Sequence, residues 1–212
     1  MIVVIIIVAI CVSIVVHVMA MAAAGWLIDA PIEEIRLFFG KKLISTKVGV
    51  TGFSIGSIPF GGFVKFDDAF QKIHPLKKAF VATCGCLALV FLAAIVFGSS
   101  EALRKFLSGF YQIVFGAFAP RSQASNLLRA FYEYVKDNSF ALCVGLVAAK
   151  FAAFNLLPLP MLNGGDITLA ILNWIKPLPE KARERIQIFG FIIVLGIGLL
   201  WIAAFVYSLI SR

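Results

Sequence analysis

The stretch Ile2 to Ile28, IVVIIIVAICVSIVVHVMAMAAAGWLI, runs for 27 residues without a formal charge, and His17 is its single acid–base group of the kind that titrates near neutrality. As a helix it is ~40 Å long, more than the ~30 Å of a bilayer's hydrocarbon core. The run therefore reads as a first transmembrane helix. A cleaved signal peptide is the rival reading. Against it, no basic segment precedes the run, and the run exceeds the roughly 7–15 apolar residues of a signal peptide.

Composition agrees. Of 212 residues, 61% are hydrophobic and 14% charged, where a soluble domain has roughly 45–50% and about 25%. A water-soluble globular domain is excluded. With 21 Phe, 17 Gly and a mean hydropathy of +1.00, so is a disordered chain. The net charge of +8 points to loops facing anionic lipid headgroups, not to nucleic acid. Cys11, Cys84, Cys86 and Cys143 all lie in apolar stretches, as small buried hydrophobes do.

Outward from the first span, residues 29–78 change character. Charges appear, and short apolar runs (Ile35–Phe39, Lys47–Ser54, Ile58–Phe66) alternate with Gly and Pro. They predict short strands or a membrane-associated β-hairpin over about 35–66. A second uncharged run covers 79–98. Residues 101–137 mix Arg, Lys, Leu and aromatics around a break at Ala119-Pro120, the pattern of two interfacial helices. A third apolar stretch, 138–172, is interrupted by Asn155-Leu-Leu-Pro158-Leu-Pro160-Met-Leu-Asn163-Gly-Gly-Asp166. Two prolines and two glycines there predict a broken span whose freed backbone is satisfied by protein or by a water-filled cavity. A loop with Lys176, Lys181, Arg183 and Arg185 precedes a fourth span at 186–210. The expected fold is one helical membrane domain over 1–212 with about four spans and a hairpin between the first and second. Eight Lys and Arg between spans one and two, and four between spans three and four, place both termini outside.

The order of these features resembles the site-2 protease family of intramembrane zinc metalloproteases. Ile58-Pro59-Phe60-Gly61-Gly62-Phe63-Val64-Lys65 matches that family's hairpin, and Asn155-Leu-Leu-Pro158-Leu-Pro160 matches its later broken span. The likeness covers nearly the whole chain, without the PDZ domain that some members insert. The resemblance implies a His-Glu-x-x-His helix in the first span and an aspartate ligand in the broken one. Here His17 is kept, Val18 stands at the general-base position, Met21 at the second histidine and Asn163 at the aspartate. The second-span motif is also eroded, to Cys84-Gly85-Cys86-Leu87-Ala88-Leu89. Thioether is a soft ligand, an amide is neutral and valine moves no proton, so ordinary zinc proteolysis is not expected.

His17 reads either as a satisfied polar group, with Ser13 at i−4 or a backbone carbonyl as partner, or as a vestigial metal ligand. Asp166 reads as a helix N-cap or as a substitute ligand. In the family the hairpin and the Asn-Pro-Pro loop clamp substrate as an added strand. Pro59, Gly61, Gly62, Val64, Asn155, Pro158 and Pro160 are the matching positions, and they imply binding of a transmembrane peptide or a membrane-protein partner. The expectation is a multi-pass protein of a bacterial inner (plasma) membrane, catalytically inactive and without a cofactor. An active metalloendopeptidase with zinc in an altered ligand set, and a small transporter or channel component, stand as alternatives.

Overall fold

A run rich in Ile and Val would favour a strand in water. In lipid, a single segment can satisfy its backbone only as a helix, and a segment apolar on every side is the kind that lipid surrounds. In the computed structural model, which describes residues 1–210, the first run is a 26-residue helix, α1 (Ile2–Leu27). Two long strands follow, β1 (Ile32–Val48) and β2 (Thr51–Phe66). After a 3₁₀ turn at Asp68–Lys72 come α2 (Pro75–Phe97) and α3 (Ser99–Phe118). A π turn at Pro120–Ala124 leads into α4 (Ser125–Asp137). The chain ends with α5 (Phe140–Asn155), α6 (Asn163–Ile175) and α7 (Glu180–Ile210).

Among the described residues three helices are long and apolar enough to cross a membrane: Ile2–Leu27, Pro75–Phe97 and Glu180–Ser208. The stretch expected as a third span is two shorter helices, α5 with 16 residues and α6 with 13, on either side of the break. α2 is the hub, packing on α1, α5 and α6. α5 presents a face of small residues, among them Cys143, Gly145, Ala148, Ala149 and Ala152, all buried. Leu89 packs against this face in one cluster and Ala93 in another. Lipid offers no hydrophobic drive between helices, so close backbone approach across small residues supplies the association instead.

Lys150 lies inside α5, a cation in an apolar helix to which the sequence reading gave no role. Its Nζ donates to the Lys105 carbonyl at 2.8 Å and to Ser108 Oγ at 2.7 Å, tying α5 to α3. On α3, Glu101 pairs with Arg104 and Lys105. These two cations hold its carboxyl well below the usual range, at about 2. α3 also exposes Leu103, Leu107, Tyr111 and Phe115, spaced four apart as one stripe. α7 docks through Trp201 Nε1, which donates to the Ile113 carbonyl, and its Ala204 carbonyl accepts from Ser125 Oγ.

The hairpin is longer and more folded than its sequence suggests. It begins at Ile32, and its turn falls at Gly49 and Val50, inside the Lys47–Ser54 run that reads as a strand. The antiparallel strands double back, so that Ile35 is set against both Val64 and Phe53, and Phe53 against both Ile35 and Thr46. Glycine makes this crowding possible. A Cβ on Gly56 would collide with the carbonyl oxygens of Phe38 and Phe39, and Gly61 turns at φ +66 beneath the Phe39 ring. Ile32 and Ile35 bury against Ile14, Val18 and Ala22 of α1 in one apolar cluster.

Glu34 accepts from Ser54 at 2.6 Å and pairs with Lys42 at 2.5 Å, contacts that lower its carboxyl below the ordinary value. The pair therefore adds stability above the ordinary carboxylate range and loses it as pH falls through the lowered value. The effect is small, because solvent reaches both side chains.

Three local expectations are corrected. Ser13 is not the partner of His17, since its hydroxyl donates to Ala9 at 2.9 Å. Asp166 does not cap α6: the helix starts at Asn163 behind Leu162, and Asp166 sits within the first turn. Lys181, Arg183 and Arg185 are not in a loop but on the first turns of α7.

Substituting Gly56 by Val should disrupt the hairpin at a cost of at least about 2 kcal/mol, since backbone carbonyls cannot move aside as side chains do. Hydrogen exchange in detergent should show residues 32–66 losing protection while α2 keeps its own. Unchanged protection would mean that the doubled-back register is wrong.

Candidate functional site

His17 and Met21 are one helical turn apart, so they share a face of α1. That face meets Gly85 of α2. A Cβ on Gly85 would come to 2.7 Å from Met21 Cγ and 2.8 Å from His17 Cε1 and Nδ1. The absent side chain is what lets α2 lie against the histidine ring, and Gly85 is a site residue that the erosion of the surrounding motif hid. Phe151 of α5 closes the other side, edge-on to the imidazole at 5.7 Å. His17 is buried beside Gly85 and Asn163, yet its Nδ1 has no partner of normal hydrogen-bond geometry among the described residues.

The third position arrives from the far side of the chain. Asn163 begins α6, and its Nδ2 donates to the Ala82 carbonyl at 2.6 Å and reaches Met21 Sδ at 3.4 Å. A carbonyl only accepts, so the amide nitrogen of Asn163, not its oxygen, faces Ala82. His17, Met21 and Asn163 are thus brought together, 142 residues of sequence separating the last two.

The donor set does not fit a zinc ion. One imidazole faces a thioether and an N–H group already committed to a carbonyl, whereas zinc takes thiolate, imidazole or carboxylate ligands. Among the described residues no group of three or more His, Cys, Asp or Glu side chains is placed to hold a metal. Val18 is 1% exposed and belongs to the apolar cluster under the hairpin, where a Cβ on Gly62 would stand 3.0 Å from its Cγ2. The base position is therefore packed as core.

The break that delivers Asn163 is held by glycine. A Cβ on Gly164 would collide with the Leu156 and Leu157 carbonyls, and one on Gly165 with that of Leu159. Met161 takes φ +79, a left-handed conformation costly for its side chain. Asn155 donates to the Phe151 carbonyl at 2.9 Å and finishes α5. Pro158 is exposed, and Pro160 lies against Gly190 of α7, where a Cβ would collide with it. Pro59, Gly61, Gly62 and Val64 lie along β2, whose residues 62–65 pair with 34–37. Val64 and Phe66 of β2 face Asp166 and Leu169 of α6 across a cavity of about 220 Å³ that Met21 also lines. Lys78 and Arg183 reach the same cavity. Nothing in the sequence pairs these two cations, since each stands in the first turn of a different helix.

Relatives carry related chemistry in their names. A protein named "Putative zinc metalloprotease" from Nostoc sp. is 34% identical over 56 residues, 26% of this chain and 15% of its own length. One of the same description from Synechocystis sp. is 32% identical over 88 residues, 41% of this chain and 20% of its own. One from Chlamydia trachomatis is 29% identical over 103 residues, 39% of this chain and 16% of its own. The matches thus reach only a fifth or less of these relatives. The sequence profile of peptidase family M50 matches residues 5–197, nearly the whole chain. The chain belongs to peptidase family M50, the site-2 protease family.

Proposed function

We propose that this chain is a catalytically inactive member of its family that holds an extended transmembrane segment of a peptide or partner protein. The observation that carries the reading is the contact of Asn163. A hydrogen-bond donor occupies the position where the family resemblance implies an anionic ligand, and it is already paired with Ala82. The soft, neutral sulfur of Met21 and the core packing of Val18 point the same way. Without a metal-bound water and a base to deprotonate it, the hydrolytic step has no nucleophile.

What the chain keeps is the means of binding. Ile58–Phe66 supplies strand backbone with one paired side in the register above, and an added strand gains main-chain hydrogen bonds without any metal. Asn155, Pro158 and Pro160 shape the break, and Gly61 and Gly62 keep bulk off the strand. The same reading places the chain in a membrane as a multi-pass protein, with the hairpin and both ends disposed as the positive charges indicate.

Two experiments separate this reading from an active protease. Met21→His together with Asn163→Asp supplies the two missing ligands, and the purified double variant should take up close to one zinc per chain by elemental mass spectrometry. If it takes up none, the three positions do not form a ligand cluster. For binding, a photoreactive residue in place of Phe60 should crosslink to a Leu/Ala transmembrane peptide carrying a central Asn-Pro pair. Yield should alternate along the peptide with a period of two residues, as an added strand requires. A helical period, or cleavage of the peptide by the unmodified chain, would contradict the proposal.

A further inference from the structure

The cavity between β2, α2, α6 and α7 has features that neither the ligand cluster nor the proposed strand edge uses. Arg183 reaches it from the first turn of α7. Its Nε is buried and has no hydrogen-bond partner among the described residues. Nor does any carboxylate described lie within ion-pair distance of its guanidinium. A buried guanidinium N–H left without a partner calls for a missing acceptor. The geometry such a group recognises is the flat, two-oxygen edge of a phosphate or carboxylate.

A second cation faces it. Lys78 lines the same cavity from the first turn of α2, close enough for the two charges to repel. That turn also carries Lys77 and no acidic residue. Cations at a helix N-terminus stand against the helix dipole, and an anion beside them relieves both conflicts.

The remaining walls narrow the chemistry. Phe66, Phe70 and Leu169 make one side of the cavity apolar. α2 and α7 are both long and apolar enough to cross a membrane, so residues in their first turns lie at headgroup depth. Basic pockets between helices at that depth take anionic lipid headgroups. We propose that this cavity binds the phosphate of an anionic phospholipid between Arg183 and Lys78, with the lipid's apolar part along Phe66, Phe70 and Leu169.

Asp166, the one acid among the described residues lining the cavity, repels a phosphate and so favours its place at the two cations. The site stands whether or not the chain binds a peptide, because its two cations, Arg183 and Lys78, belong to neither the strand edge nor the ligand cluster.

The test is native mass spectrometry of the full chain in detergent with equal amounts of phosphatidylglycerol and phosphatidylcholine. The unmodified chain should retain one phosphatidylglycerol in preference to phosphatidylcholine. Arg183→Gln should lower that retention about tenfold, the loss expected for one charge-assisted hydrogen bond. Arg183→Lys, which keeps the charge but loses the fork, should fall between. Arg185→Gln, an exposed change nearby, should alter nothing, and Asp166→Asn should raise retention. Thermal unfolding of each variant in the same detergent checks its fold. Equal retention of the two lipids, or equal losses in Arg183→Gln and Arg185→Gln, overturns the proposal. Displacement of the lipid by millimolar inorganic phosphate would assign the site to the free anion and overturn the lipid assignment.

Discussion

A backbone broken among apolar helices has to find its hydrogen-bond partners inside the protein, because lipid offers none. Residues 156–162 are such a break, and Asn163 stands at its exit. The amide of Asn163 donates to the carbonyl of Ala82, and that single bond ties the start of α6 to the middle of α2. Gly164 and Gly165 let α6 begin tight against the carbonyls of the break. Gly85, one turn along α2 from Ala82, then admits the face of α1 that carries His17 and Met21. The packing of α1, α2 and α6 around one point follows from these contacts. So does the chemical character of that point, because a side chain that must donate to Ala82 offers no lone pair in the same direction to a metal.

The same frame explains how the hairpin is seated. β1 and β2 are wedged against α1 through Ile32, Ile35 and Val18, and Val18 contributes to that packing as an apolar residue in a way that a carboxylate would not. Valine at this position therefore strengthens the seat of the hairpin, and on the proposed reading it leaves the hydrolytic step without its base. On the proposed reading, the strand backbone and its glycine-lined approach serve binding by main-chain hydrogen bonds, which needs no metal.

Much of this was legible in the sequence, for identifiable reasons. Long uncharged runs mark helices by composition alone, so α1, α2 and the apolar part of α7 were readable, as was the break at Pro158 and Pro160. The split at Ala119-Pro120 was readable for the same reason. The doubled-back register of the hairpin was not, because it depends on Gly56 passing under the carbonyls of Phe38 and Phe39, a tertiary contact with no local signature. Nor was the role of Lys150, a lone charge in an apolar run, whose partners Lys105 and Ser108 lie on another helix. Spacing offered Ser13, beside a backbone carbonyl, as a partner for His17, but the Ser13 hydroxyl bonds back to its own helix, as Ser commonly does in apolar helices. The ligand positions could be named from motif order, but only the fold shows that Asn163 turns its nitrogen to Ala82.

The measurement that bears most directly on this account is the zinc content of the unmodified chain, purified in detergent without chelator, beside His17→Ala and Asp166→Ala. The hydrogen-bonded Asn163 predicts zinc far below one per chain in all three. Close to one zinc per chain in the unmodified protein, lost in His17→Ala, would mean that the cluster still holds a metal and that the reading of an inactive binder is wrong.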